Sequence, residues 1–496
     1  MNLMPMWGGM NNRRRMSRFF HRTGIDRVRD TWTEAEEAGS WLGNGVGSLI
    51  RRVQGTRGSR SDEICPIGVL IDENGRELGV LGILRQDFLK HLFISGRTGA
   101  GKSTLIERLI LDVLDQSNIG LLIIDPKNDF SNTVLEHIPD ELIDDVCIID
   151  LDDIEKPVGV NLLSCPEQQY KYKVASDLLL IFKKIFTSWG PRLENLLRYC
   201  LLTLIDVPDA TLLDINPLLT NEDFRRQCVK NITDPELLRF WNYEWEETPR
   251  ATRKEATGPI FNKVNQLISV PVIRNIICQP GSIDFDQIVD EGKILIVKVA
   301  KGGIVGEDMA QFLGSVIVSK MQMAVIRKKR LDPRGRKNFY IFVDEVQNFV
   351  TESFSVFLSE CRGYGGGLVV ASQFIEQLTE SMRLSLENNV AHKIECVNLS
   401  GKFMQSLDVM EGSESLTYYL KSLPPVGVGD PAKRKRIIQM SRDTYGTPRS
   451  AVEKFHAERY ALYSTSSEQS DENRRAKSKK KRRRKPDSPD DVKFGI

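Results

Sequence analysis

Short, nearly continuous apolar runs alternate with amphipathic stretches along most of the chain. Runs at 90–95, 120–125, 146–151, 293–300, 338–344, 367–372 and 392–399 predict strands, and segments with helical spacing lie between most of them. Strands that are apolar throughout are typical of a parallel sheet covered on both faces. The pattern therefore predicts an α/β fold, with a mostly parallel sheet and helices on both faces.

The strand pattern stops between about residues 165 and 281. Four stretches there have helical spacing, and Pro-Glu and Asp-Pro-Glu openings suit helix starts: 170–186, 192–207, 234–247 and 259–270. We therefore predict an all-α domain inserted into the α/β domain. The predicted boundaries are a basic, partly disordered appendage at 1–62, the first part of the α/β domain at 63–164, the inserted domain at 165–281, the second part at 282–450 and a basic disordered tail at 451–496.

Composition narrows the class of protein. The 496 residues are 27% charged and 41% hydrophobic, which is ordinary for a soluble globular protein. The eight cysteines contain no C-x-x-C pair, which indicates reduced thiols and argues against a disulfide framework or a zinc site. No apolar run approaches the roughly 20 residues that span a membrane, and the amino terminus lacks the order of a secretory signal. We expect a cytoplasmic protein without a transmembrane segment.

The formal net charge of +2 conceals an uneven distribution. Residues 1–60 carry 11 basic and 5 acidic side chains, and residues 474–485 carry ten basic side chains in twelve. Between these ends the chain is acidic. A basic tail of this kind binds polyanions, either nucleic acid or acidic lipid, although a tail that serves only solubility is the alternative. Because the middle of the chain is acidic overall, a DNA-binding surface there would need a local cluster of basic side chains.

The strongest motif is GRTGAGKST, which lies between a predicted strand and a predicted helix. Its glycines, lysine and serine fit the phosphate-binding loop G-x-x-x-x-G-K-[ST]. The backbone N–H groups of such a loop form an anion nest, and the following helix adds its dipole. The predicted triphosphate ligands are Gly96, Arg97, Thr98, Gly99, Ala100, Gly101, Lys102, Ser103 and Thr104. Lys102 would reach the β- and γ-phosphates and Ser103 would bind Mg²⁺; a plain glycine turn is the alternative.

A second predicted strand, FYIFVDE, ends in two carboxylates. Asp344 would complete the Mg²⁺ shell beside Ser103, and Glu345 would orient and polarise the attacking water as general base. A solvent-facing acidic pair is the alternative. Asp125 ends another strand, and we favour a secondary acidic position for it over the role of the true magnesium ligand. Gln373, also at a strand end, is a candidate sensor of the γ-phosphate; the alternative is a core or loop glutamine.

Five stretches together resemble the HerA/FtsK-type P-loop motors. They are HLFISGRTGAGKST, LLIIDPKND, FYIFVDEVQNF, SECRGYGGGLVVASQ and ENNVAHKI, and the resemblance covers about residues 65–440. The conjugative coupling proteins of type IV secretion, the TraG/TraD-like group, are the branch most similar to this chain. Those proteins carry an all-α domain at the place of the predicted insertion.

The resemblance implies a RecA-like fold and a homohexameric ring that binds DNA in a central channel, with ATP and Mg²⁺ as cofactors. It gives Lys102, Ser103, Asp344, Glu345 and Gln373 the ATP-site roles stated above. Arg362 matches the arginine that the family places after the second acidic motif, and so becomes the candidate trans-acting finger; spacing alone does not distinguish it from Arg192, Arg198, Arg327 or Arg330. Two family features are missing from the pattern, the transmembrane helices of coupling proteins and the amino-terminal β-barrel of HerA-type motors.

Three functions remain open at this point. The first is a DNA-translocating motor in conjugative or mobile-element transfer, with a HerA-like translocase in end processing as a variant. Its partners would be DNA, copies of itself, a membrane-bound secretion partner and relaxosome-type proteins, and it would lie at the inner face of the membrane. The second is a secretion ATPase that acts on protein cargo. The third is a nucleotide-gated DNA-binding scaffold without turnover, against which Glu345 argues.

Overall fold

The computed structural model describes residues 64–71, 75–116, 119–300, 303–399, 402–411 and 414–461. The predicted appendage at 1–62 and the basic run at 474–485 lie outside the described residues. Contacts divide the chain into two compact units, one formed by residues 1–153 and 283–446 and the other by residues 154–282 and 447–496.

The first unit contains a sheet of eleven strands within the described residues. They are β1 Ile64–Ile71, β2 Glu77–Leu84, β3 Leu92–Gly96, β4 Ile119–Asp125, β5 Val146–Asp150, β6 Ile294–Lys298, β7 Asn338–Val343, β8 Gly366–Ser372, β9 His392–Leu399, β10 Lys402–Glu411 and β11 Glu414–Ser422. Their order is β2-β1-β11-β10-β9-β3-β8-β7-β4-β6-β5. The strands from β9 to β5 pair in parallel, and those from β9 to β2 pair antiparallel. The seven predicted strands are confirmed, and β1, β2, β10 and β11 add to them.

The parallel half of the sheet is covered on both faces, as its apolar strands predicted. Residues of both alternating sets are buried along the central strands, for example Leu121 and Leu122 on β4 and Phe342 and Val343 on β7. The helices of this unit are Lys102–Leu114, Phe130–His137, Phe285–Glu291, Glu307–Arg327, Ser353–Glu360, Glu380–Asn389 and Pro431–Tyr445. The predicted α/β, RecA-like class with an inserted helical domain is therefore confirmed.

One of these helices is unusually apolar. Among the described residues, a single helical segment, Glu307–Arg330, is long and apolar enough to cross a membrane, and 78% of its apolar window is buried within the fold. Gly314 on this helix lies against the Phe349 ring, where an added Cβ would come within 2.4 Å of a ring carbon. The segment is packed as a core helix of the α/β unit.

Helices form the regular secondary structure of the second unit within the described residues. Its helices are Lys171–Ile185, Pro191–Ile205, Ile215–Thr220, Glu222–Val229, Pro235–Arg239, Trp245–Glu247, Arg250–Ile268 and Pro271–Ile277, with a π-helical turn at Phe240–Glu244. The Asp-Pro-Glu opening acts as predicted, because the Asp234 side chain accepts hydrogen bonds from the N–H groups of Glu236 and Leu237. The helix predicted from Pro259 begins earlier, at Arg250, and includes that proline.

The boundary predicted for the disordered tail is wrong by about ten residues. Residues 449–461 are helical and belong to the second unit. Val452 and His456, one helical turn apart, are buried, and the His456 ring nitrogen lies 3.0 Å from the carbonyl oxygen of Cys278. The buried positions Val452 and His456 have helical spacing, but the lysine and glutamate residues around them made the segment resemble a charged tail.

Candidate active site

The predicted phosphate loop connects β3 to the helix Lys102–Leu114. Three of its glycines have φ angles that L-residues rarely adopt: 149° at Gly96, 76° at Gly99 and 96° at Gly101. A Cβ at Gly96 would also lie 2.4 Å from the carbonyl oxygen of Cys396 on β9. The loop backbone therefore requires glycine at these positions. Arg97, Thr98 and Gly99 are exposed, and Ser103 and Thr104 are half-buried in the first turn of the helix.

Lys102 points back into its own loop. Its side chain is almost fully buried, and Nζ donates a hydrogen bond of 2.5 Å to the carbonyl oxygen of Gly96. The ammonium group thus lies at the start of the loop, between β3 and the helix. A lysine ammonium group at a glycine-rich loop that leads into a helix N-terminus is an arrangement that binds a polyphosphate.

The strand register brings the carboxylate pair beside the loop. β8 pairs in parallel with β3 on one side and with β7 on the other, with Ser95 opposite Ser372 and Val343 opposite Val370. The residues that follow these strands, including Asp344 and Gln373, therefore emerge at the same sheet edge as the loop. Burial raises the pKa of Asp344, and the Lys102 charge is close enough to oppose part of that rise, which agrees with this placement.

Asp344 is a buried carboxylate with an open oxygen. Oδ1 accepts a hydrogen bond of 2.9 Å from the N–H of Glu345, whereas Oδ2 has no hydrogen-bond donor within the described part of the chain. Burial raises the pKa of Asp344 to about 6, the charge of Glu345 adds to this, and Lys127 and Lys102 oppose it. An orphaned carboxylate oxygen beside a phosphate loop and a hydroxyl at Ser103 fits Mg²⁺, a hard cation that prefers oxygen ligands.

Glu345 is held from three sides. Its carboxylate accepts hydrogen bonds from Gln347 Nε2 at 2.8 Å, from Gln373 Nε2 at 3.1 Å and from Lys127 Nζ at 3.3 Å. Burial alone would raise the pKa of Glu345, but these two glutamines and the Lys127 charge bring it below its usual range. Its backbone is in the left-handed region, with φ 48°, a conformation that costs a non-glycine residue energy and is concentrated at functional sites. Glu345 is thus ionised and fixed in direction.

Asp125 has a different task from Asp344. Its carboxylate is fully buried and accepts the N–H groups of Lys127 at 3.0 Å and Ser131 at 2.9 Å. Burial raises the pKa of Asp125, while these backbone hydrogen bonds lower it. Both oxygens are engaged in holding the turn between β4 and the helix Phe130–His137. This arrangement agrees with the secondary acidic position favoured for Asp125.

Arg362 is not brought to this site within the chain. It is exposed on the 3₁₀ turn Cys361–Tyr364, which precedes β8, whereas the loop and the carboxylates follow the carboxyl ends of the parallel strands. The two positions lie at opposite edges of the sheet. Two of the other arginines considered are engaged elsewhere, because Arg327 pairs with Asp286 and Arg330 with Asp290.

Sequence reasoning missed four residues around the loop and the pair. Lys127 and Gln347 contact Glu345, Asn398 Nδ2 donates to the carbonyl oxygen of Gly99 at 3.3 Å, and the Phe403 ring lies 3.5 Å from the Cβ position of Gly101. Lys127 and Gln347 stand inside the quoted motifs, where their positive and amide side chains were a usable signal. Asn398 and Phe403 lie opposite each other on β9 and β10, about 300 residues along the chain from the loop.

Other constellations do not form sites. All eight cysteines are free thiols, and seven are buried. Within the described residues, no group of three or more His, Cys, Asp or Glu side chains is arranged to hold a metal ion.

Comparison with known proteins gives one family match. Residues 65–223 match the family model described as "Helicase HerA, central domain". No curated protein matches the chain. Among solved structures, plasmid coupling protein TrwB in complex with ADP and Mg²⁺ is 14% identical, with 78% of this chain and 98% of that chain covered and a TM-score of 0.44. VirB4 of Thermoanaerobacter pseudethanolicus is 15% identical, with coverages of 72% and 96% and a TM-score of 0.48.

At these TM-scores the structural likeness carries no argument about function. The matched segment contains the phosphate loop and the turn after β4 that contacts the carboxylate pair. Residues 65–223 are therefore similar to the central domain of the helicase HerA.

Proposed function

We propose that this protein hydrolyses ATP with Mg²⁺ and uses the energy to move DNA, as a ring of identical subunits. The main support for hydrolysis is the arrangement of the carboxylates. Glu345 is ionised and held in one direction by hydrogen bonds, and it lies beside Asp344, whose Oδ2 accepts no hydrogen bond in the described residues, at the sheet edge where Lys102 also lies. The loop N–H groups and Lys102 would bind the phosphates. Ser103 and Asp344 would hold Mg²⁺, which when bound neutralises charge that develops on the transferred phosphoryl group. Glu345 would orient the water and Gln373, bonded to Glu345, would sense the γ-phosphate.

The choice of DNA as cargo rests on the family and on the charge of the chain ends. The matching model is that of a helicase domain, and the motifs resemble coupling proteins of conjugative transfer. The basic segments at 1–60 and 474–485 supply a polyanion-binding charge that the acidic middle lacks. We place the protein in the cytoplasm, at the inner face of the membrane through a secretion partner, with the helical unit in the position of the coupling proteins' all-α domain.

DNA should stimulate the ATPase activity. We expect turnover of the full-length protein to rise about tenfold or more on addition of DNA at low salt, and the stimulation to fall steeply as salt rises, because phosphate contacts release counterions. The measurement is phosphate release with and without linear DNA over a salt series. Turnover that is unaffected by DNA but responds to a secreted protein would favour the protein-cargo alternative, and nucleotide binding without turnover at any protein concentration would favour the scaffold.

Arg362 should act on the active site of a neighbouring subunit. Because it lies at the sheet edge opposite Lys102 of its own chain, Arg362→Ala should lower turnover about a thousandfold if it is the finger, and leave nucleotide binding intact. Mixing Arg362→Ala with Lys102→Ala protein should then restore about a quarter of the activity, since about one interface in four pairs two intact residues. Phosphate release by equimolar mixtures measures this.

Arg334→Ala is the matched control for that experiment, because the Arg334 side chain is 95% exposed and pairs only with nearby Asp332 in the described residues. Its activity should equal that of the parent. Absence of recovery in the mixture, with both variants assembled, would mean that Arg362 does not serve a neighbour.

A further inference from the structure

Lys127 is a cation placed between the two carboxylates of the site. Its Nζ lies 3.3 Å from Glu345 Oε1 and 3.8 Å from Asp344 Oδ2. The second of these oxygens is the one that accepts no hydrogen bond in the described structure. Lys102, the other lysine of the site, donates to Gly96 O. The ion pairs of Asp344 and Glu345 within the described residues are therefore those with Lys127.

The turn that carries Lys127 is built to hold it there. Its N–H donates to Asp125 Oδ1 at 3.0 Å, and the next residue, Asn128, has a left-handed φ of 57°. The Asn132 side chain donates to the Asn128 carbonyl oxygen at 2.9 Å. The backbone of Lys127 is thus fixed while its side chain, 34% exposed, keeps room to move. A flexible four-carbon stem on a rigid turn suits a charge that changes partners.

A lysine ammonium group and a divalent cation cannot share these oxygens. Mg²⁺ at Asp344 would take Oδ2 as ligand, and its double charge would repel Lys127 at such short range. Without either cation, two neighbouring carboxylates, both nearly inaccessible to solvent, would repel each other and any phosphate brought to the loop. Lys127 therefore meets, with one positive charge, part of the electrostatic requirement that Mg²⁺ would meet with two.

We propose that Lys127 is a positioning residue, an internal counter-ion that offsets part of the negative charge of Asp344 and Glu345 and whose place Mg²⁺ would take, so that Glu345 would be free of its ion pair to act on water when the metal is bound. This inference rests on the proposed function, since it takes ATP and Mg²⁺ as the ligands of the site. The segment DPKND would thus have two functions: Asp125 holds the turn by hydrogen bonds, and Lys127 supplies the positive charge that faces the carboxylate pair.

The test compares nucleotide affinity with and without Mg²⁺. A fluorescent, non-hydrolysable ATP analogue is titrated into the full-length parent and into Lys127→Met, in EDTA and in saturating MgCl₂. In EDTA we expect the variant to bind the analogue about tenfold more weakly, because the uncompensated carboxylates repel its γ-phosphate. In saturating Mg²⁺ the two proteins should agree within about twofold, and the Mg²⁺ concentration for half-maximal enhancement should be about five- to tenfold lower in the variant.

Three further variants sharpen the result. Lys127→Arg keeps the charge and should restore the EDTA affinity to within about threefold of the parent. Lys127→Gln repeats the loss of charge with a polar side chain, in case the methionine variant does not fold. Lys298→Met removes a lysine that pairs with Asp150 at 2.7 Å on the strands β6 and β5, and should change neither affinity.

Two outcomes would overturn the inference in different ways. If Lys127→Met weakens binding equally in EDTA and in Mg²⁺, Lys127 contacts the nucleotide itself or supports the turn, and the competition with Mg²⁺ is excluded. If the parent protein fails to bind the analogue under either condition, the proposed function fails with it.

Discussion

Replacing Glu345 with glutamine should lower the ATP turnover number by at least about a hundredfold while nucleotide affinity stays within about threefold of the parent. Loss of a positioned general base costs about 10²–10⁴ in rate. Glutamine has nearly the shape of glutamate but one acceptor oxygen, so it keeps one of the hydrogen bonds that Gln347 and Gln373 donate to Glu345 at 2.8 and 3.1 Å and meets the other amide only if that amide turns its oxygen inward. It cannot take a proton from water or pair with Lys127. The change therefore removes chemistry and leaves the binding surface in place.

The measurement is single-turnover hydrolysis together with binding of the same nucleotide. Glu360→Gln is the matched control, because Glu360 is exposed at the end of the helix Ser353–Glu360 on the same connection to β8, and its variant should keep full activity. Turnover in Glu345→Gln within a few-fold of the parent would show that another group activates the water, and Glu345 would lose the role given to it here.

Lys102→Ala should abolish both tight nucleotide binding and turnover. Lys102 is the buried cation of the phosphate loop, and its Nζ bonds Gly96 O at 2.5 Å. Without it the loop loses the charge that stabilises the transferring phosphoryl group, and removal of one such donor costs about 10²–10³ in rate. We expect affinity to fall about tenfold or more in addition, which distinguishes this variant from Glu345→Gln.

Equilibrium binding and phosphate release at saturating nucleotide separate the two effects. Lys435→Ala, on the exposed face of the helix Pro431–Tyr445, controls for the loss of one positive charge and should behave as the parent. If Lys102→Ala still bound ATP with parental affinity, the anion nest would need no lysine and the site would work by backbone N–H groups alone.

Pattern reasoning predicted the parallel half of the sheet well because its strands carry a strong signal. Runs such as GLLIID and FYIFV are apolar on both faces, and a strand buried on both sides has few alternatives. The antiparallel extension gave no such signal. β10, KFMQSLDVME, mixes apolar, polar and charged residues without regular alternation, and β1 contains Pro66 and Gly68. β10 pairs with its sequence neighbours β9 and β11, and β1 pairs with β2, so the missing signal is local; only the β1–β11 pair joins distant segments.

The site residues also divide into those that local motifs predict and those that depend on strand order. The loop and the Asp-Glu pair are motifs that a few consecutive residues are enough to identify. Their meeting at one edge of the sheet follows from the parallel pairing of the strands that precede them. The contacts of Lys127 with Glu345 and of Asn398 with Gly99 depend on strand order. No local pattern specifies that order, so the sequence shows the positive charge of Lys127 inside its motif but not its partner, and Asn398 is identified only from the three-dimensional structure.

During synthesis, β3 leaves the ribosome long before the strands that pair with it. The strand that carries the phosphate loop is bonded to β8 and β9, Gly366–Ser372 and His392–Leu399, and, among the strands that the structure describes, to none translated close to it. At about 5–20 residues per second, a ribosome exposes this strand for roughly 15–50 s before its first partner emerges. Nascent chains therefore present an unpaired apolar edge to cellular chaperones, and a product of premature termination before β8 has no assembled nucleotide pocket.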